Sequence, residues 1–151
     1  MVYKIQSYAA LLNSSISNLR FTLPGVGRPV AVVFPGSWDG LRAAVLCARG
    51  AWLAVRVRSG GRSYEGLSYT TENHGPFAVI DLASLNRVRV DRGSATAWAE
   101  ADATLGELYN AAGRSSRSLA FPGGTLLDRR AGRHHLRRRV RALGAEARAR
   151  R

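Results

Sequence analysis

Apolar runs of strand length, each followed by glycine, proline or a polar turn, characterise residues 30–57 of this chain. The β-branched run 30–34 predicts one strand and the run 53–57 predicts a second. Between them Ser37 precedes apolar residues at helical spacing, so we expect a capped helix that ends at Gly50. A strand, a helix and a strand in succession favour a right-handed βαβ unit.

The next segment alternates between strands and turns. Residues 77–82 form a continuous apolar run that is typical of a buried strand, 87–91 alternate as an edge or hairpin strand would, and 95–101 return after a turn. This pattern predicts strands that pair in both parallel and antiparallel directions.

Two shorter helices complete the prediction. One lies around 8–12 in an otherwise irregular N-terminal segment; the other is capped by Thr104 and runs from 105 to about 112, where Gly113 ends it. Alternating helices and strands of this kind predict an α+β fold with a mixed sheet and flanking helices, rather than a barrel or a bundle.

Positive charge is concentrated at the C-terminal end. The chain of 151 residues has a formal charge of +13, and residues 128–151 contain 10 arginines against 2 acidic residues. Because this stretch has no aromatic residue and few aliphatic ones, it offers little apolar area to offset chain entropy, and we expect disorder. The predicted organisation is an N-terminal segment 1–24, a folded domain 25–125 and an Arg-rich tail 126–151.

Hydropathy and cysteine content restrict the class of protein. No apolar run is long enough to span a bilayer, and the N-terminus lacks the apolar core of a secretory signal, so a cytoplasmic location is expected for the chain as written. Cys47 is the only cysteine, which excludes an internal disulfide. We interpret Cys47 as a small buried residue of the helix that follows Ser37.

A glycine-rich turn follows the second predicted strand directly. Residues 58–69 read R-S-G-G-R-S-Y-E-G-L-S-Y. Glycine has no Cβ to block positive φ or the close approach of a ligand, so adjacent glycines at a strand end can direct backbone N–H groups toward an anion. A phosphate group is the ligand expected for such a turn. An ordinary turn is the alternative for S-G-G alone.

This stretch resembles the flavin-attachment loop of the plant berberine bridge enzyme-like oxidases, R-S-G-G-H-S/D-Y-E-G-x-S-Y, within the FAD-linked oxidases related to vanillyl-alcohol oxidase. Eleven of the twelve positions fit, and the exception is Arg62, which stands where the family has the histidine that bonds to the flavin. Other stretches are similar in the same order: 18–21 read N-L-R-F, 97–109 resemble A-W-x-x-x-G-A-T-L-G-E-x-Y with Asp102 in place of a glycine, and 121–124 read F-P-G-G.

The resemblance covers about residues 2–125 and implies part of an FAD-binding PCMH-type domain. The family's two-domain oxidases transfer a hydride from a small-molecule alcohol, carbohydrate or alkaloid to FAD, so FAD and such a substrate are the implied partners. The resemblance also implies cofactor-binding residues in two loops. These are Arg58, Ser59, Gly60, Gly61, Arg62, Ser63, Gly66, Pro122, Gly123 and Gly124.

Covalent attachment of the flavin is not expected. Arg62 replaces the family's histidine, and Leu126 stands where the family has a second link through cysteine. Any FAD would therefore be held non-covalently. Arg62 would either donate to the diphosphate or lie in solvent as a surface side chain.

No catalytic residue and no metal site are predicted. The substrate domain of the family has no counterpart here, so the chain, interpreted as a truncated member, is expected to be inactive by itself. Intact members are usually secreted. The scattered histidines form no ligand cluster, and single acidic residues are interpreted as structural or solvated. These residues are His74, His134 and His135, and Glu65, Glu100 and Glu107.

Two interpretations of the Arg-rich tail stay open. A selected tail would make this a small basic protein that binds nucleic acid or an anionic surface non-specifically, with steep salt dependence and no aromatic residues to stack on bases. Alternatively, the tail is a frame-shift product. Back-translation from His134 with one choice of codons gives, in the neighbouring frame, a glycine-containing sequence similar to the family's continuation.

Overall fold

The computed structural model describes residues 16, 18–23, 25–70, 75–123 and 125–128, and the backbone of 140–141 and 143–144. These residues belong to two compact units, Met1–Ser84 and Leu85–Arg151. The boundary between the units falls inside the predicted 25–125 domain. The helix predicted around 8–12, His74, Gly124 and most of the Arg-rich tail lie outside the described residues.

A three-stranded parallel sheet is the centre of the first unit. It contains β1 (Ala31–Val33), β2 (Ala54–Arg58) and β3 (Phe77–Asp81). The strands lie in the order β1-β3-β2, with both outer strands parallel to β3. All five residues of β3 are buried, which confirms the buried strand predicted at 77–82.

Helix α1 (Trp38–Gly50) connects β1 to β2. The side chain of Ser37 accepts a hydrogen bond from the backbone N–H of Gly40 at 3.1 Å, so both the predicted cap and the predicted end at Gly50 are confirmed. Two strands that run in the same direction and are joined by a helix form the predicted strand-helix-strand arrangement. The crossover passes over β3, however, which lies between β1 and β2.

The prediction of a buried Cys47 is wrong, since its side chain is exposed on α1. Ala48 is the buried residue of this helix. Successive helical residues point about 100° apart, so the position before Ala48 is turned away from the buried face. Apolar residues occupy more of the α1 circumference than the sheet covers, and spacing alone did not identify the covered side.

All three tryptophans of the chain are exposed. The exposed fractions are 44% for Trp38, 91% for Trp52 and 51% for Trp98. Trp52 follows α1 with φ of 56°, in the left-handed region that is unusual for a residue other than glycine. None of the indoles contributes to a buried core.

The second unit is built on an antiparallel hairpin covered by a helix. Strands β4 (Val88–Asp91) and β5 (Thr96–Ala99) pair along their length. Helix α2 (Leu105–Ser115) buries one face, and its leucines pack with Ala97 and the half-buried valines of β4. Strand β6 (Leu119–Ala120) follows α2. The expected hairpin and the expected mixture of strand directions are confirmed.

Helix α2 begins as predicted but ends later. Thr104 and Glu107 form a reciprocal capping box, with N–H to oxygen distances of 3.1 and 2.7 Å. The helix then continues through Gly113 to Ser115, so the predicted end at Gly113 is wrong. A glycine inside a helix costs only about 1 kcal/mol relative to alanine. Burial of the apolar face of α2 offsets that cost.

Four residues of the Arg-rich tail pair as short strands. The backbone of β7 (Val140–Arg141) pairs with β5, and that of β8 (Leu143–Gly144) pairs with β6, both in the antiparallel direction. Pairing at these four positions differs from the disorder expected for the tail. Among the described residues, no helix has the length and apolarity needed to cross a bilayer.

Candidate functional site

The glycine-rich loop begins where β2 ends, at Arg58. Gly61 is a buried residue with φ of 63°, and Gly66, also buried, has φ of 70°. Both angles lie in the left-handed region, where a Cβ is disfavoured and glycine is not. Two glycines of the motif therefore have the positive φ that the sequence analysis gave as a reason for glycine in this turn.

The backbone amides of Gly60 and Gly61 are the main candidate ligand-binding groups. Within the described part of the chain, neither N–H donates a hydrogen bond to a protein acceptor. A buried amide that lacks an acceptor costs about 1–3 kcal/mol. Consecutive amides without a protein acceptor among the described residues, the second of them on a left-handed glycine, are a feature of phosphate nests, so these residues are compatible with the diphosphate of a dinucleotide.

Arg58 stands at the start of the loop, but its side chain turns to the neighbouring strand. The guanidinium is buried and paired with Asp81, with Nε 2.6 Å and Nη2 2.5 Å from the same carboxylate oxygen. The other oxygen of Asp81 accepts the backbone N–H of Ala83 at 2.9 Å. Sequence reasoning noted Asp81 only as the end of a strand that resembles the family's and gave it no partner, although opposite charges at the last positions of two strands were a usable signal.

The second half of the loop is closed by its own hydrogen bonds. The carbonyl of Ser63 accepts the N–H of Gly66 at 3.3 Å and the hydroxyl of Tyr69 at 3.3 Å. The carbonyl of Gly66 accepts the N–H groups of Tyr69 and Thr70, both at 3.0 Å. Residues 63–70 therefore form a compact support, and the Ser59–Ser63 part of the loop carries the free glycine amides.

The N-L-R-F segment supports the loop directly. Asn18 precedes a 3₁₀ turn (Leu19–Thr22), and its side-chain amide donates to the carbonyl of Tyr64 at 3.2 Å. The ring of Phe21 packs edge-on against Tyr69, with 5.8 Å between the ring centroids. Sequence reasoning noted this motif as part of the family resemblance but did not assign it a contact.

Arg62, at the position of the family's histidine, is exposed. The neighbouring Tyr64 is also exposed, by 81%. Exposure leaves the Arg62 guanidinium in contact with solvent.

The F-P-G-G segment belongs to the second unit. Phe121 packs against Tyr109 of α2 with ring centroids 6.0 Å apart, and the N–H of Gly123 donates to the carbonyl of Phe121 at 3.0 Å. Pro122 and Gly123 are exposed, as is Leu126, the position of the family's second link. Gly124 lies outside the described residues.

Replacing Gly123 by alanine is expected to destabilise the second unit by about 1–3 kcal/mol, because the new Cβ would clash with two aromatic side chains and force them to move. An ideal Cβ there lies 2.5 Å from the Tyr109 hydroxyl and 2.8 Å from the Phe121 ring. Urea unfolding followed by circular dichroism measures the change. Gly113→Ala, in the same unit and with open space around its Cβ, is the matched control and should stabilise the protein by about 0.5–1 kcal/mol. Equal effects of the two substitutions would contradict the packing described for Gly123.

Two acidic side chains of the second unit accept hydrogen bonds from the backbone. Glu100 accepts the backbone N–H of Arg87 at 2.9 Å, and Glu107 belongs to the capping box. Both carboxylates therefore hold backbone groups of this unit. Glu65, on the glycine-rich loop, is exposed. Within the described ranges, no three His, Cys, Asp or Glu side chains form a group that could hold a metal ion.

A parallel sheet that ends in a glycine loop with free amides, joined in the chain to a helix-covered hairpin, defines a flavin-binding domain of the α+β class. Residues 29–127 match the sequence model of the family described as FAD binding domain. The chain belongs to this family, and it matches the FAD-binding domain of the berberine bridge enzyme-like proteins of plants. The predicted family, fold class and cofactor, FAD, are thereby confirmed.

Named relatives show how much of such proteins the chain represents. Berberine bridge enzyme-like 18 of Arabidopsis thaliana is 44% identical over 118 residues, which cover 78% of this chain and 22% of the relative. A solved berberine bridge enzyme variant, described as a reticuline dehydrogenase, is 42% identical with a TM-score of 0.72 and covers 82% of this chain and 25% of that one. Phl p 4.0202, described as a glucose dehydrogenase, is 37% identical with a TM-score of 0.76, and the match covers 87% of this chain and 27% of that one. The chain spans about a quarter of these proteins or less.

Proposed function

We propose that this chain binds FAD non-covalently through the loop that follows β2, and that it serves as the flavin-binding part of an oxidoreductase. The proposal is carried by one observation: the N–H groups of Gly60 and Gly61 have no acceptor within the described residues, although Gly61 is buried. A diphosphate provides the acceptors that such a turn lacks.

The residues of the loop have different parts in this proposal. Gly60 and Gly61 donate their backbone N–H groups to the diphosphate, and Ser59 and Ser63 flank them on either side. Arg62 contributes a charge-assisted hydrogen bond from the exposed side of the loop. With arginine at position 62 and leucine at position 126, neither side chain can form the covalent links of the family.

Bound flavin supplies a hydride acceptor, while the protein supplies binding and orientation. The described acidic residues Glu100 and Glu107 are committed to backbone hydrogen bonds, so neither is placed as a base. We propose no turnover by this chain alone, which spans about a quarter of the length of its solved relatives. The solved relatives are named for reticuline and for glucose, so an alkaloid or a carbohydrate is the proposed substrate class of the whole protein.

Absorbance measurements test the proposal. Full-length chain loaded with FAD should retain the flavin absorbance band through gel filtration and release it into the supernatant on acid precipitation. Flavin that stays in the acid pellet would contradict non-covalent binding. Protein that is folded by circular dichroism and colourless after loading would overturn the proposed function.

Substituting alanine for Arg62 should weaken FAD binding about 5–20-fold, because one charge-assisted hydrogen bond contributes about 1.5–3 kcal/mol when desolvated and less when exposed. Isothermal titration calorimetry at two salt concentrations measures the affinity and its charge dependence. Arg42→Ala is the matched control, since Arg42 is an exposed arginine of α1. If both variants bind FAD as the unmodified chain does, Arg62 is a solvated surface residue.

A second proposed function rests on the 10 arginines of residues 128–151. If the tail is a selected element, the chain should bind duplex DNA with an affinity that falls steeply as salt rises. Weak, salt-insensitive binding would reject this function.

Sequencing the genomic locus and the transcript tests the frame-shift hypothesis, which requires a family reading frame on both sides of the Thr125 region.

A further inference from the structure

We infer that Arg58 and Asp81 are a positioning pair that fixes the start of the glycine loop, and that Arg58 acts on flavin affinity without contacting the flavin. This inference rests on the proposed function, in which the amides of Gly60 and Gly61 hold the diphosphate. It changes the role of Arg58, which the family resemblance predicted as a cofactor-binding residue, and it adds Asp81 to the residues that determine binding.

The register of the sheet brings the two residues together. Arg58 and Asp81 are the last residues of the parallel strands β2 and β3 and are direct partners across them. A backbone hydrogen bond also connects the two strands at this position, since the carbonyl of Arg58 accepts the N–H of Leu82 at 2.8 Å. The end of β2 is thus held by a backbone hydrogen bond and a side-chain ion pair at the first residue of the loop.

Burial explains why the pair acts as a fixed support. The side chains are 3% and 8% exposed, and two nitrogens of Arg58 approach one oxygen of Asp81. The second oxygen is held by the N–H of Ala83. A buried pair with this many contacts restricts the side chains to one arrangement, and removal of one partner leaves an uncompensated charge. The Arg58 guanidinium is therefore committed to Asp81.

The other end of the loop is held independently. The ring of Phe21 lies 3.0 Å from the point that a Cβ on Gly66 would occupy, and Asn18 donates to the carbonyl of Tyr64. The free amides of Gly60 and Gly61 lie between these two anchored ends. Such preorganisation lowers the entropy lost on binding, so weakening one anchor should reduce affinity.

Asp81→Asn separates a positioning role from a direct one, because the two predict changes of opposite sign. If Arg58 positions the loop, Asp81→Asn weakens FAD binding by the full chain at least tenfold in isothermal titration. If Arg58 were a diphosphate ligand, its release from Asp81 would tighten binding. The double variant Arg58→Gln with Asp81→Asn removes both charges, which avoids a lone buried charge, and should bind as weakly as Asp81→Asn.

Val79→Ala is the control for a merely structural effect. Val79 is fully buried in β3, next to the same sheet positions but away from the loop. It should lower stability while FAD affinity, measured well below the melting temperature, stays within about twofold of the unmodified chain. An affinity loss in Val79→Ala as large as in Asp81→Asn would overturn the inference.

Amide hydrogen exchange provides a readout that does not depend on flavin. Asp81→Asn should accelerate exchange of the backbone amides of residues 59–62 about tenfold or more, whereas Val79→Ala should not. If the unmodified chain does not bind FAD but this acceleration occurs, the proposed function fails and the positioning role stands. Unchanged exchange in Asp81→Asn would overturn the positioning role.

Discussion

The double substitution Gly60→Val and Gly61→Val is expected to abolish FAD retention, with a loss of affinity of at least about 100-fold. Two backbone N–H groups that have no acceptor in the described part of the chain are the proposed diphosphate donors. A β-branched side chain at each position would block the approach of the phosphate oxygens. Hydrogen bonds to a charged group contribute about 1.5–3 kcal/mol each, so the loss of two is sufficient for this effect. Flavin absorbance after gel filtration and isothermal titration measure it.

Backbone strain in the double variant needs its own control. Gly61 has φ of 63°, so valine there also destabilises the loop conformation itself. Gly60 is not among the described residues with positive φ, and Gly60→Val alone should lower affinity with a smaller change in melting temperature. Gly36→Val, where nothing lies within 4 Å of the new Cβ, should leave FAD binding unchanged. Full retention by a folded double variant would show that this loop is not the flavin site.

Gly66→Ala is expected to destabilise the first unit by about 2–4 kcal/mol. Its φ of 70° disfavours any Cβ, and an ideal Cβ lies 3.0 Å from three atoms of the Phe21 ring. A strained left-handed residue costs about 1–3 kcal/mol, and overpacking adds a similar amount when the ring cannot move away. Urea unfolding monitored by circular dichroism gives the difference in free energy.

Two companion variants separate the causes of the Gly66 effect. Phe21→Leu in the Gly66→Ala background should relieve the steric part and leave the part due to φ. Gly50→Ala, at the end of α1 with open space around its Cβ, is the control for substituting a glycine as such. A loss below about 0.5 kcal/mol in Gly66→Ala would mean that the loop adjusts freely, and the support proposed for its far end would be wrong.

Elements with strong local signals were predictable from the sequence. The three strands of the parallel sheet are β-branched or apolar runs bounded by turn residues, and Ser37 begins α1 in the observed way. Strand order was not predictable, because it depends on which strand lies between the other two. In this sheet it is β3, which pairs with β1 and β2 and has all five residues buried. Gly113 shows a further limit, since tertiary burial of α2 outweighed a local helix-ending signal.

In the candidate site, too, some features were predictable from local sequence and others were not. Its place at the end of β2 and its glycines follow from local sequence and from the family resemblance. The partner of Arg58 does not, because a buried ion pair between residues 58 and 81 requires the strand register. Cys47 was predicted wrongly for a related reason. The helical spacing of apolar residues was compatible with several buried faces of α1, and the face that packs on the sheet contains Ala48 and not Cys47.

The exposure of Trp38, Trp52 and Trp98 determines which spectroscopic signals will be useful for this protein. All three indoles already contact solvent in the folded chain. Their fluorescence emission should therefore change little when the protein unfolds, but a soluble quencher such as iodide should reach all of them in the native state. Emission spectra that resemble those of free tryptophan would thus describe a folded protein here, not a denatured one.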